Sequence, residues 1–228
     1  MSIHAPVVEA TATTVPNARF LVVLDADSTL IHNEVIELLA EHAGSLDAVA
    51  RITARAMHGE LDFSESLRAR VATLAGLPCS VFEAVADRIR VTDGAPALIE
   101  AVHAAGGALG VVSGGFHELL DPLGELLGLD FWQANRLELA DGVLTGRVTG
   151  AIVDAKAKAS AMRGWAVQKS IPARCWIAVG DGANDLEMMA EAALSVAFNA
   201  KPAVRRAADV VVDGQDLSQL LPLMGLRG

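Results

Sequence analysis

The sequence predicts an α/β protein: a doubly wound parallel sheet, with a helical segment inserted after the first strand and a small β-hairpin. Three observations carry this. Continuous apolar runs recur along the chain, and the strongest end abruptly in polar, acidic or glycine-rich clusters. Segments with helical periodicity lie between the runs. One long stretch, 33–91, shows helical periodicity and no strand pattern.

The first run, Phe20 to Leu24, stops at Asp25-Ala26-Asp27-Ser28-Thr29. A run without polar alternation suits a strand buried on both faces of a parallel sheet. Four helical segments follow at 33–43, 46–59, 63–76 and 80–90. Together they read as a cap domain lying over the carboxyl ends of the strands. A helix over 94–105 leads into a second strand at 108–112, which ends in Ser113-Gly114-Gly115. The spacing gives further helices at 116–127 and 155–168. Between them, residues 136–149 alternate about Asp141-Gly142, a hairpin signal. A third strong strand, 175–179, ends in Gly180-Asp181-Gly182. A helix over 184–192, weaker strands at 194–198 and 209–212, and a helix over 216–223 complete the pattern. The expected organisation is a flexible tail over 1–18, a core of 19–32 plus 92–228, and a cap of 33–91.

Composition narrows the function. The 228 residues are 52% hydrophobic and 20% charged, which excludes wholesale disorder. No apolar run approaches the ~20 residues of a spanning helix, so a membrane partner is not expected. The net charge of −10 opposes binding to nucleic acid phosphates and anionic lipids. Cys79 and Cys175 fit no metal spacing and read as small buried hydrophobes in a reducing compartment. The N-terminal stretch lacks a basic region followed by an apolar one, so the expected location is cytoplasmic. A monomer and a homodimer are both open.

The polar clusters all follow apolar runs, and ligands of open parallel sheets bind at the carboxyl ends of strands. Asp25 and Asp27 stand at i and i+2 on a strand end, where two carboxylates repel unless a cation holds them. Asp181 and Asp185 arrive from another strand. Oxygen ligands without His or Cys point to Mg²⁺. The plain alternative for each motif alone is a helix cap or a turn; convergence of three segments argues against it. Ser113, Gly114 and Lys158 supply a hydroxyl, backbone N–H groups and an ammonium for an anion, with Lys156 as rival to Lys158. These parts imply nucleophilic phosphoryl transfer. Asp25 attacks phosphorus, and Asp27 protonates the leaving alkoxide and then deprotonates water. An anion meeting a phosphate at 4 Å faces about 4 kcal/mol per unit pair at an effective dielectric near 20. The cation, Lys158 and the loop donors would offset that repulsion.

The motifs Asp25–Thr29, Ser113–Gly115, Lys158 and Gly180–Asp185 resemble, in order, those of the haloacid dehalogenase superfamily of phosphohydrolases. From about residue 19 onward the chain is similar to the phosphoserine phosphatase family within it, on Asp25–Glu34, Phe63–Val71, Val111–Phe116, Ala134–Leu137 and Val179–Asp185. The resemblance implies a Rossmann-like core, an aspartyl-phosphate on Asp25, and Asp27 as acid and base. It implies Mg²⁺ on Asp25, the Asp27 main-chain carbonyl and Asp181, with Asp185 supporting the metal site. Phosphate would be held by Ser113, Gly114, Lys158 and Asn184. The small-molecule substrate, O-phosphoserine, would meet Glu34 with its ammonium and Arg70 with its carboxylate, under the apolar residues Met57 and Phe63. Independently of the resemblance, Arg70 falls on the apolar stripe Phe63, Leu67, Val71 and Leu74, while Arg68 does not. The same chemistry allows phosphate transfer to homoserine or hydrolysis of another small monoester. An inactive protein that senses a phosphorylated metabolite is a different class, against which the intact Asp25, Asp27, Lys158 and Asp181 argue.

Overall fold

The computed structural model describes residues 18–227, so all but the last residue of the expected tail lies outside it. The first strand, β1 (Leu21–Leu24), is completely buried. Its side chains alternate between two cores. Val22 and Leu24 pack on one face of the sheet, and Leu21 and Val23 on the other. That two-sided burial is why the run shows no polar alternation.

The helical segment follows as α1 (Val35–His42), α2 (Leu46–Met57), α3 (Phe63–Ala72) and α4 (Val81–Ala86). The start of α3 is set by a capping box: Asp62 accepts the Glu65 N–H, and Glu65 accepts the Asp62 N–H. The chain then alternates: α5 (Ala95–Ala104), β2 (Ala108–Phe116), α6 (His117–Leu127), β3 (Phe131–Ala140), β4 (Val143–Thr149), α7 (Ala155–Gln168), β5 (Trp176–Gly180), α8 (Leu186–Glu191), β6 (Leu194–Phe198), α9 (Pro202–Ala207) and β7 (Val210–Val212). The strands form one seven-stranded sheet in the order β4-β3-β2-β1-β5-β6-β7. All neighbours are parallel except β3 and β4. β1 lies at the centre, between β2 and β5, where the winding direction of the sheet reverses. A crevice at the carboxyl end of β1 is therefore the expected ligand site.

Several elements differ from the sequence reading. The hairpin's first strand is longer than the alternation shows, because the first half of β3 pairs with β2 and extends the main sheet. Its turn is as expected, with Asp141 and Gly142 both at positive φ (51° and 77°). The helix expected over 216–223 is two short 3₁₀ turns, Leu217–Leu220 and Pro222–Met224; Pro222 supplies no N–H to continue the first. The short helix α9 has no counterpart in the periodicity. Cys79 is exposed and Cys175 half-buried, so neither is the fully buried small hydrophobe expected. Cys79 sits in a turn of the helical segment, and Cys175 ends the 3₁₀ turn that leads into β5, one residue before the strand begins.

Candidate active site

The carboxyl ends of β1, β2 and β5 bring their polar clusters to one crevice. Lys158, from the first turn of α7, is wholly buried there, with its Nζ 2.7 Å from Asp25 Oδ1 and 2.7 Å from Asp185 Oδ1. Lys156, its rival, is exposed and makes no ion pair with the crevice's carboxylates among the described residues. The helix start that aims Lys158 inward is capped by Asp154, whose carboxylate accepts the Ala157 N–H at 2.9 Å. Asp25 Oδ1 also accepts the Ala26 N–H at 2.7 Å. Asp185 Oδ2 accepts the Gly182 N–H at 3.0 Å. Glycine is required at 180, since a Cβ there would stand 2.4 Å from the Asp185 carboxyl.

Oxygens of Asp25, Asp181 and Asp185 converge within 4.8 Å of one another. Burial, then the Asp185 and Asp181 charges, push the Asp25 carboxyl up to about 8 despite Lys158. Burial and Asp185 push Asp181 up to about 6, although Lys201 draws it down. Burial first, then Glu34 and Asp25, raise Asp27 well above the usual carboxylate range. Burial alone would lower the Lys158 ammonium, but Asp185 and Asp25 raise it. Such crowding of hard oxygen donors, free of His and Cys, is the chemistry of a divalent cation site. The Asp27 carboxylate stands apart from this trio. Its Oδ2 takes the Val35 N–H at 3.4 Å, and its Oδ1 is enclosed without a hydrogen-bond partner.

Beside the carboxylates lies the Ser113-Gly114-Gly115 turn. Ser113 is buried, and its Oγ accepts the Gly115 N–H at 2.8 Å, which curls the turn. Asn184 Nδ2 lies 3.7 Å from where a Cβ of residue 114 would be, and the Phe63 ring lies 2.9 Å from it. Glycine at 114 thus lets α3 close directly onto the turn. The opposite wall of this cleft of about 620 Å³ includes Glu34, Glu37, Met57, Phe63 and Arg70. Arg70 is half-buried, and burial lowers its guanidinium against the pull of Glu34, Asp27 and Glu37. Among the described residues it makes no ion pair; its Nε donates only weakly to the Ser66 carbonyl at 3.4 Å. Met57 reaches the cleft from its lip and is 74% exposed.

Residues 22–190 match the family of haloacid dehalogenase-like hydrolases. A phosphoserine phosphatase of Streptomyces coelicolor is 55% identical over 92% of this chain, and the chain spans 51% of that protein's length. A phosphoserine phosphatase of Lactococcus lactis is 48% identical, with 90% of this chain and 94% of that one covered. A solved phosphoserine phosphatase holding a phospho-aspartyl intermediate analogue superposes with a TM-score of 0.86 at 40% identity, over 90% of this chain and 99% of that one. The chain belongs to the haloacid dehalogenase-like hydrolases, in the phosphoserine phosphatase family.

Three features in or beside the cleft escaped the sequence reading. Ser28 holds a left-handed backbone (φ 59°) and donates its hydroxyl to Glu34 Oε1 at 2.8 Å. Lys201 places its Nζ 3.5 Å from Asp181 Oδ2, and its N–H donates to the Asp181 carbonyl at 2.9 Å. Glu37 faces the cleft one helical turn beyond Glu34. A signal for Lys201 was present: Asn199-Ala200-Lys201 follows the run of β6, as the other polar clusters follow theirs.

Proposed function

We propose that the chain is a Mg²⁺-dependent phosphatase that hydrolyses O-phospho-L-serine to L-serine and phosphate, the step that completes serine synthesis. One observation carries the reading: the cleft has two chemically distinct ends. The sheet end gathers Asp25, Lys158, Asp181, Asp185, Ser113 and Gly114; the helical end offers Arg70, free of any ion pair among the described residues, beside Glu34. A phosphate at one end and an amino-acid group at the other match that division. In this reading residues 33–91 act as a cap domain over a core of 19–32 and 92–228.

Asp25 is the nucleophile. Its Oδ1 is occupied by Lys158 and the Ala26 N–H, which leaves Oδ2 to form the bond to phosphorus as the bond from phosphorus to the serine oxygen breaks. Asp27 gives its proton to the departing alkoxide. It then takes a proton from the water that attacks phosphorus, and the Asp25–phosphorus bond breaks to release phosphate. Ser113, the Gly114 N–H, Lys158 and Asn184 hold the phosphoryl oxygens. Asp25, Asp181 and the Asp27 main-chain carbonyl, with Asp185 in support, would hold Mg²⁺, whose charge would offset that of the transferring phosphoryl group. Arg70 binds the substrate carboxylate and Glu34, steadied by Ser28, its ammonium. Phe63 covers the substrate's apolar side, and Met57 stands at the lip of the cleft above it. The reading sets the reaction in the cytoplasm, a reducing compartment where the free Cys79 and Cys175 stay thiols.

The test is phosphate release from L-phosphoserine, D-phosphoserine, phosphothreonine, phosphoethanolamine and pyridoxal phosphate, each with Mg²⁺ and with EDTA. The expected result is Mg²⁺-dependent turnover with a strong preference for L-phosphoserine over phosphoethanolamine, which lacks the carboxylate. Equal rates across the panel would overturn the substrate assignment. Addition of homoserine should not divert phosphate into a new ester.

A further inference from the structure

The turn that would hold phosphate interrupts its own strand. In the pairing of β2 with β3, Val112 stands opposite Gln133 and Phe116 opposite Asn135, so four residues of advance on β2 meet two on β3. Ser113, Gly114 and Gly115 are thereby pushed out of the ladder, which leaves the turn in need of support. The Asn135 side chain supplies it. Asn135 is 2% exposed and does not line the cleft. Its Nδ2 donates to the Gly114 carbonyl at 2.9 Å, and its Oδ1 accepts the Val153 N–H at 2.8 Å. The two partners fix the orientation of the amide, because one can only accept and the other only donate. Val153 immediately precedes Asp154, the cap of the helix that carries Lys158. One planar group therefore ties the turn of β2 to the start of α7.

A second side chain braces this one. His117 follows Phe116 directly, and its Nε2 accepts the N–H of Ala134, the residue before Asn135, at 3.1 Å. The ring proton must then sit on Nδ1, which donates to Asp121 Oδ1 at 2.6 Å. Asp121 is itself held by Trp132 Nε1 at 2.9 Å and Arg136 Nη2 at 3.0 Å. Successive residues of β3 thus grip the chain on both sides of Gly115 and Phe116.

We propose that Asn135 is a positioning residue for the phosphate site, with His117 as its brace. Asn135 keeps the Ser113–Gly114 donors and the Lys158 ammonium in one register, so that all of them meet a single anion. The inference rests on the phosphate site of the proposed function. Its test is calorimetric binding of inorganic phosphate and of L-serine to the full chain with Mg²⁺, alongside KM, kcat and Tm.

Asn135→Asp keeps the acceptor for Val153 and replaces the donor to Gly114 with an oxygen. It is expected to weaken phosphate binding about tenfold, the scale of one buried hydrogen bond, and to leave L-serine binding within about twofold. His117→Phe is expected to weaken phosphate binding severalfold, and His117→Gln, which can still accept the Ala134 N–H, to restore much of it. If Asn135→Asp does not fold, the His117 pair decides alone. Variants that bind phosphate as the wild type does overturn the inference. So do variants that lose phosphate and serine equally as Tm falls, since that is the mark of a purely structural role. A wild-type chain that binds no phosphate overturns the site reading itself, which separates the two failures.

Discussion

The two walls of the cleft are built by different physics. On the sheet side, Lys158 has no exposure at all and is bonded to two carboxylates, and Asp185 is held by the Gly182 N–H and is itself fully buried. Strand β1 beneath it is buried at every residue. On the helical side, α2 buries only Val49 among its twelve residues, Met57 is 74% exposed, and Arg70 has one long hydrogen bond. One wall is specified by packing and charge pairing within the fold. The other presents Arg70 without an ion-pair partner among the described residues. On the proposed function, the difference teaches how to divide the reaction: the bond-making residues fall on the wall fixed by buried contacts, and the substrate-selecting residues on the wall with few of them. Mutations on the first should change kcat or the fold; mutations on the second should change KM.

The largest effect is expected from Asp25→Asn. Loss of the proposed nucleophile should lower kcat by more than about ten-thousandfold. Asn retains an Oδ1 for Lys158 and removes one charge from a crowded carboxylate group, so Tm should not fall. Activity near the wild-type level would break the comparison at its centre. Lys158→Met should remove activity too, but through the fold as well. It leaves Asp25 and Asp185 buried without their cation, a loss of about 3–5 kcal/mol in urea unfolding. Adding Asp185→Asn should recover part of that stability without recovering activity. If Lys158→Met unfolds like the wild type, the sheet wall is less tightly determined than its hydrogen bonds imply.

Arg70→Gln should act in the other way. Losing a charge-assisted pair with the substrate carboxylate should raise KM for L-phosphoserine about 10- to 100-fold. Phosphoethanolamine, which has no carboxylate, should be turned over as by the wild type. A fall in kcat with unchanged KM would move Arg70 from the selecting wall to the reacting one.

How much of this was legible in the sequence follows from the same contrast. The strands Leu21–Leu24 and Trp176–Gly180 were readable because burial on both faces leaves an uninterrupted apolar run. Asp25, Ser113 and Asp181 were readable because they end such runs. Arg70 was readable because the apolar stripe of α3 passes through it. Phe131–Asn135 was not, since an outer strand of the parallel set is only partly buried and shows no run. His117 and Asp121 are a local i, i+4 pair, but Asn135, His117 and Asp121 reach the rest of the brace through partners 18, 17 and 11 residues away in the chain, and no local pattern encodes such pairings. The 3₁₀ turns over 217–224 look helical to periodicity because their apolar residues keep near-helical spacing; the interruption at Pro222 decides otherwise. Local patterns report burial, whereas the brace behind the phosphate turn depends on register between strands.

The smallest effect, and the sharpest test of the helical wall, comes from Met57→Ala. Met57 ends α2 at the lip of the cleft, and most of its surface faces water. Truncating an exposed side chain with no buried partner should change stability by no more than about 0.5 kcal/mol. If the lip stays as open in solution as it is here, KM should change by less than about threefold. A larger rise in KM with unchanged Tm would mean that Met57 folds over bound substrate and is buried only then. The helical wall would in that case close during the reaction while the sheet wall stays still, and the exposure of Met57 would mark the part of the cap that moves.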